Sequence, residues 1–438
     1  MSSIQADVRR LKYAVTGCFG GVWGDEPNGV DDLTVVRVAD FNRETASVDL
    51  GDSPTVRSIP HSARNRRVLA RGDLLIEKSG GGELQPVGNV VLFDANVDAV
   101  CSNFVARMPV APDCDPRFAC YVFRSLYSEA RNVNHIKQTS GIQNLDTESY
   151  LNELAWLPAR DVQSRIANFL DDKTARIDAL IAEKERLRVT LEEWRAAELT
   201  RICFGEDRKP LATGNDWIPT LPQGWKLVRL KHLVTGIEQG WSPECEARHA
   251  DEDEWGVLKA GAANAGTYRQ DEHKALPSAM QPMPELEVKP GDVLITRASG
   301  TADYVGSFAY VYSTRPKLML SDKNFRLRFE PRPKLLPELL AWMCNTRALR
   351  EQVLQYVSGA DGLAKNIGSG SLKELWLALP PLAEQPRLIQ ELHARREQLE
   401  GLEKHLIVHV TRLREYRSSL ISAAVTGQLE VGALDGAA

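Results

Sequence analysis

QPRLIQELHARREQLEGLEKHLIVHVTRLREYRSSLISAAVTG, residues 385–427, sets a leucine at every seventh position: Leu392, Leu399, Leu406, Leu413 and Leu420. Leu388, Leu402 and Tyr416 interleave at the other core spacing, the heptad pattern of a helix that packs lengthwise on another. A second copy lies earlier in the chain, QSRIANFLDDKTARIDALIAEKERLRVTLEEWRAAELTRICFG, residues 163–205. In the same register it reads Ile166, Leu170, Ile177, Leu180, Leu187, Leu191 and Trp194, with Lys173, Lys184 and Glu198 as polar interruptions. The two stripes are expected to form one seam.

The repeat extends beyond the helices. Leu11–Gly17 matches Leu230–Gly236, Gly72-Asp73-Leu74-Leu75-Ile76 matches Gly291-Asp292-Val293-Leu294-Ile295, and Leu151-Asn152-Glu153-Leu154 matches Leu372-Lys373-Glu374-Leu375. Asn103-Phe104 is paired with Asn324-Phe325, and Ser140-Gly141 with Ser358-Gly359. All keep their order at an offset of about 220 residues, so the chain reads as a tandem duplication.

Each copy opens with short β-branched and apolar runs between Gly, Pro, Asn and Asp, such as Leu74–Glu77 and Val293–Thr296, followed by helical patches near 116–131 and 337–357. The expected fold class is α+β: two tandem α+β domains separated by a pair of long antiparallel helices, an intramolecular coiled coil with pseudo-two-fold symmetry. The boundaries read as a first domain over 1–157, a helix over 158–205, a linker over 206–216, a second domain over 217–379, a second helix over 380–427 and a tail over 428–438. Gly205 and Gly427 stand where left-handed helix caps belong. Some 40 residues at 1.5 Å rise make a spacer on the order of 60 Å. Connectivity then places two similar domains at opposite ends of that spacer, a geometry suited to two half-sites on duplex DNA.

The 438 residues are 43% hydrophobic and 26% charged, a balance for globular domains. No run approaches the roughly 18 apolar residues of a membrane span, and the start lacks a signal-peptide core, so a cytoplasmic protein is expected. Seven cysteines without a C-x-x-C pair read as buried thiols. The net charge of −5 is the wrong sign for holding DNA by bulk electrostatics, so a nucleic-acid role needs a local basic face or a basic partner.

Motifs for catalysis are missing: there is no phosphate-cradling loop, no H-E-x-x-H helix, no G-x-S-x-G elbow and no Asn/Asp-Pro-Pro-aromatic run. The acidic runs Asp113–Asp115 and Asp251–Glu254 read as solvated loops, because no partner spacing makes them metal ligands. Basic and amide-bearing loops are the better candidates for DNA contact, since Arg, Lys, Asn, Gln and Ser supply the donors and acceptors that reach phosphates and base edges. They comprise Arg64, Arg66 and Arg67; Lys78 and Ser79 after one strand; Arg297 and Ser299 after its counterpart; Lys137, Gln138, Thr139, Ser140 and Gln143; and Lys323, Lys365 and Asn366. Tyr304, with Trp23 and Trp241, is a stacking candidate, although such rings more often close a small core.

The runs Leu379-Pro380-Pro381-Leu382-Ala383-Glu384-Gln385, Glu415–Ile421, Ala424-Val425-Thr426-Gly427 and Leu221-Pro222-Gln223-Gly224-Trp225 resemble the conserved regions of the specificity subunit of Type I restriction-modification systems. The first copy departs from the pattern at Leu157-Pro158-Ala159-Arg160, at Trp194 and at Ile202–Gly205. The resemblance implies a chain without chemistry of its own and without a bound cofactor, S-adenosylmethionine belonging to its partner. It also implies partners: double-stranded DNA, two adenine methyltransferase subunits and, in the larger complex, the restriction/translocase subunit. The alternative is a coiled-coil adaptor that bridges two protein copies without reading DNA.

Overall fold

The computed structural model describes residues 7–429 apart from 83, 140, 207 and 360–363. It divides into two compact units, residues 1–185 with 407–438, and residues 186–406. Five helices matter here: α1 (Pro116–Ser128), α2 (Arg160–Phe204), α3 (Pro337–Cys344), α4 (Arg347–Gln355) and α5 (Gln385–Val425). The two long helices, α2 and α5, each contribute one half to each unit.

In the first unit the central sheet runs β1 (Phe19–Gly20), then β5 (Val105–Met108), then β2 (Leu74–Glu77), then β4 (Val90–Leu92), extended by Ser47–Val48 and Phe41–Asn42. A separate three-stranded sheet joins β3 (Ser79–Gly80) to the hairpin of β6 (Ile136–Thr139) and β7 (Ile142–Leu145). The second unit repeats this plan. Its sheet runs β8 (Gly236–Gln239), β12 (Asn324–Arg328), β9 (Val293–Thr296), β11 (Phe308–Tyr310), while β10 (Ala298–Ser299) pairs with β13 (Lys365–Asn366).

The Gly-Asp repeat acquires a physical reason. Gly72 and Gly291 both adopt φ +94°, a left-handed turn that an L side chain resists. The following carboxylates bind the turn and a strand arginine together: Asp73 accepts from Ala70 N at 2.6 Å and Arg107 Nε at 2.6 Å. Asp292 accepts from Lys289 N at 2.9 Å and from an Arg326 guanidinium nitrogen at 3.1 Å. Arg326 is fully buried, and Glu238 with the carbonyls of Glu285 and Glu287 completes its shell. A charge so deep is tolerated because it is paired and hydrogen-bonded all round.

The long helices are anchored by the residue with which each copy begins. Gln163 Oε1 accepts from Asp115 N, which opens α1, at 2.9 Å, and its Nε2 donates to Pro158 O at 2.7 Å. Gln385 does the same in the second unit, accepting from Leu336 N at 2.8 Å and donating to Lys334 O at 2.8 Å and Pro380 O at 3.0 Å. At the other ends Gly205 (φ +65°) and Gly427 (φ +73°) reverse the chain, and Glu206 N and Gln428 N close back onto Arg201 O and Ala423 O.

Inside each unit the half-helices run antiparallel. In the first, Ile166, Ala167 and Leu170 share a core with Ile421, Ala424 and Val425, and Arg417 and Arg414 pair with Asp178 and Glu185 at 2.8 Å. In the second, Ile202, Cys203 and Phe204 share a core with Leu388 and Leu392, and Arg201 meets Glu391 at 2.7 Å. Leu170, Ile177, Leu392 and Leu399 are buried, Leu191, Leu406, Leu413 and Leu420 are half-buried, and Leu180, Leu187 and Leu402 are exposed. The heptads predict an even stripe, and the structure grades it: burial is deepest where the helices meet the domain cores. Two helices alone cover only a narrow stripe of each other.

Candidate nucleic-acid interface

Four segments converge at one edge of the first unit. The loop after β1 is held by Val22 N to Cys101 O at 2.8 Å, beside the turn Ser102–Phe104. Phe104 O accepts from both Lys78 N (2.8 Å) and Ser79 N (3.1 Å), and Lys78 O accepts from Leu145 N (2.8 Å). The β6–β7 hairpin therefore lies against the Lys78–Gly80 segment, with Ser79 opposite Asn144 and Gly80 opposite Gln143. Close backbone approach makes Gly21 obligatory, since a Cβ there would sit 2.1 Å from Cys101 O.

The second unit builds the same edge from different side chains. Trp241 N donates to Leu320 O at 3.0 Å, and Arg297 N donates to Lys323 O at 2.8 Å. Ile367 N donates to Arg297 O at 3.0 Å, with Ala298 opposite Asn366 and Ser299 opposite Lys365. Gly240 stands where Gly21 does, its Cβ position 2.0 Å from Leu320 O. The candidates after the two strands and in the two polar loops, scattered in sequence, are thus neighbours in space within each unit.

Their side chains differ in availability. The half-exposed Lys78 amine lies near Gly20 and has no ion-pair partner among the described residues. Ser79 Oγ donates to Asn144 Oδ1 at 2.6 Å, Lys137 pairs with Asp146 at 2.7 Å on an open surface, and Gln138 is exposed. That contact raises the Lys137 pKa, through the hydrogen bond first and the charge of Asp146 second. Gln143 is buried and turns inward, accepting from Val87 N at 3.2 Å. Thr139 ends β6, and Ser140 lies outside the described residues. In the second unit Arg297 donates to Asp322 O at 3.1 Å and stacks over Phe325, and Lys323 lies 3.2 Å from Asp322. Burial works against ionisation of Asp322, but Ser242 and Lys323 hold its carboxyl below the usual range. Lys365 Nζ donates to Gly359 O at 2.8 Å, Asn366 faces Ser358, and Tyr304 is exposed.

The arginine cluster behaves differently from a solvent-facing loop. Arg64 donates to Ile59 O (2.8 Å) and Asp31 O (3.0 Å), and Arg67 to Gly20 O (3.1 Å) and Ala63 O (2.9 Å). Only Arg66 of the three is exposed, its guanidinium over the Phe19 ring. Trp23 is half-capped by Arg57 at 4.8 Å, and Trp241 packs on a small core. The acidic runs have structural duties: Asp115 caps α1 and accepts from Ser164 at 2.8 Å, while Arg248 holds Glu254 down to a pKa of about 2. No cluster of metal-ligating residues occurs among the described residues. Burial pushes the Cys101 and Cys114 thiols up to about 12, which removes them as nucleophiles.

One expected match shifts. The sequence pairs Asn103-Phe104 with Asn324-Phe325, but in the sheets Val105 stands opposite Glu77 just as Asn324 stands opposite Thr296. The strands therefore superpose Ala106 on Phe325 and Phe104 on Lys323. Burial agrees, for Phe325 is a core residue at 3% exposure and Phe104 is open at 45%. The strand pairing keeps the offset that relates Gly72 to Gly291, and the Asn-Phe match departs from it by two residues. Phe104 is the member of this edge that the sequence reading left out, and the strand pairing brings it in.

Away from this edge each unit has a cleft of about 400 Å³ beside its helix pair. Arg43, Arg124, Asp178, Arg414, Arg417 and Ile421 line the first, and Arg195, Tyr310, Tyr312, Trp342, Arg396 and Glu400 the second. Trp194 and Tyr416, at equivalent points of the two helices, are both exposed.

A duplicated α+β plan on paired long helices is shared with known proteins. The chain is 36% identical over 214 residues to the Type I restriction enzyme EcoEI specificity subunit of Escherichia coli, covering 48% of this chain and 34% of that one. Its curated relatives are Type I specificity subunits. The EcoKI specificity subunit of Escherichia coli strain K12 is 22% identical over 70% of this chain and 62% of its own length, and the StySPI subunit of Salmonella potsdam is 24% identical over 77% and 70%. The matches thus span about a third of the first of these Type I specificity subunits and under two-thirds of the second. No protein-family profile matches the chain. Among solved structures, a chain of a type I R-M system aligns at TM-score 0.71 with 18% identity, over 96% of this chain and 98% of that one. The HsdS subunit from Thermoanaerobacter tengcongensis aligns at 0.55 with 17% identity, over 96% and 97%. The chain has the HsdS fold, and the resemblance carried by its conserved-region motifs extends to its curated relatives. Among the described residues no helix is long and apolar enough to cross a membrane.

Proposed function

We propose that this chain is the DNA sequence-specificity subunit of a Type I restriction-modification complex, without catalytic activity of its own, and that each unit reads one half of a bipartite site. The observation that carries the reading is the duplicated edge: one backbone scaffold is built twice, and its side chains differ between copies. Lys78, Ser79 and Phe104 of one unit stand where Arg297, Ala298 and Lys323 stand in the other, while Asn144 and Asn366 are alike. A shared scaffold with changed contacts is what reading two unlike half-sites requires.

The helix pair and the two clefts beside it are the surfaces for the methyltransferase subunits, with Trp194 and Tyr416 as exposed apolar anchors. S-adenosylmethionine is held by those partners, and the restriction subunit joins the same assembly. Phosphate contacts shared with basic partners reconcile DNA binding with a net charge of −5. Co-expression with a neighbouring adenine methyltransferase, followed by long-read detection of modified bases, tests the proposal. A split methylated motif is expected, with Lys78→Ala relaxing one half and Arg297→Ala the other. Both halves unchanged in both variants, or no motif at all, would refute it.

A further inference from the structure

The strand register sets Phe104 of the first unit at the position that Lys323 takes in the second. Phe104 is a large apolar side chain 45% exposed on a turn whose carbonyl holds the backbone of Lys78 and Ser79. The edge around it is polar and cationic: the Lys78 amine has no ion-pair partner among the described residues, the exposed Ser79–Asn144 hydrogen bond lies beside it, and Asp146, which follows the hairpin, is paired with Lys137. An apolar ring ringed by amide and ammonium groups fits a surface that is itself anionic with an apolar point within it. In the major groove that point is the thymine methyl group.

We infer that Phe104 contacts a thymine 5-methyl group in the half-site read by the first unit, and that Lys323 at the equivalent turn carries no base preference and contacts phosphate. The inference rests on the proposed specificity role and adds to it a base and an asymmetry between the halves. Nothing in the first unit's core depends on Phe104, so its replacement leaves the fold intact.

The test uses the chain co-purified with its methyltransferase partner and duplexes bearing the split motif which that complex methylates. Each thymine is replaced in turn by deoxyuridine, which removes only the methyl group. One thymine, in one half-site, is expected to lower wild-type affinity about fourfold on replacement, the transfer free energy of a single methyl-sized group. Phe104→Ala should bind the thymine and deoxyuridine duplexes equally, and Phe104→Leu should keep most of the discrimination. A wild-type complex indifferent to every replacement, or a Phe104→Ala complex that discriminates as the wild type does, overturns the inference while leaving the specificity role standing. A wild-type complex that methylates no split motif overturns both.

Discussion

Replacing Gln385 with methionine keeps the side-chain volume and removes three hydrogen bonds at the point where α5 leaves the second domain. The Gln385 side chain is fully buried, while Leu336 is half-buried and Lys334 exposed, so water offsets part of the loss at those two partners. Leu336 N has the Gln385 carbonyl oxygen as its partner at 2.8 Å, and an orphaned buried amide costs about 1–3 kcal/mol. Lys334 O and Pro380 O each lose one donor but keep a second lone pair, so the smaller end of that range applies to each. The sum is about 3 kcal/mol, partly relieved by relaxation of the loop before α3. Because the chain has two units, one unfolding midpoint is not a defined quantity, and a local probe is needed. Hydrogen exchange at the Leu336 amide provides it: protection is expected to fall by about a hundredfold, while the Asp115 amide, bound by Gln163 in the other unit, stays as in the parent. Gln163→Met should give the converse with a smaller loss, since it removes two bonds rather than three. Unchanged protection at Leu336 in the Gln385 variant would refute the anchoring role.

Two further outcomes follow from the same geometry. Lys323→Ala is expected to weaken DNA binding by the full complex evenly across sequences and to reduce the slope of log affinity against log salt by about one, the signature of one lost phosphate contact; a changed methylation motif would contradict it. Glu153, after the hairpin, ties down the turn Arg131–His135 that leads into β6, through His135 (2.9 Å) and Arg131. Burial acts to raise its pKa, but those two partners outweigh it and hold the carboxyl below its usual value. Stability from this carboxylate is therefore present above the unfolded value of about 4.3 and is lost as pH falls through the lower folded one. Corrected exchange rates in the hairpin should rise over that acid window, and Glu153→Gln should show no such limb.

Much of the fold was legible because duplication supplies a second reading of every element. The Gly-Asp turns, the helix-opening glutamines and the capping glycines recur in both copies, and each recurrence marks a backbone need: a positive φ, a buried amide bridge or a left-handed cap. Heptads showed which faces of α2 and α5 are apolar but not how deeply each position is covered, since Leu180, Leu187 and Leu402 obey the spacing and still face solvent. Depth depends on what else packs there, and periodicity within one helix does not contain that.

The recognition edge was legible in composition but not in roles. Arg64 and Arg67 satisfied every sequence criterion for a DNA contact, yet a guanidinium carries five donors and a folded loop offers carbonyls to take them. Lys78 passed the same criteria and stayed available, because among the described residues its amine meets no carboxylate or carbonyl where the strand ends. Phe104 was hidden for a different reason. A short identity, Asn-Phe in both copies, suggests an alignment that differs from the strand pairing by two residues, and that slip exchanges a core ring for a surface one. In a duplicated reader the positions that matter for specificity are those at which the copies diverge on a common backbone. Sequence identity between copies therefore points away from them, and only hydrogen-bond register identifies the residues that are equivalent in place and different in chemistry.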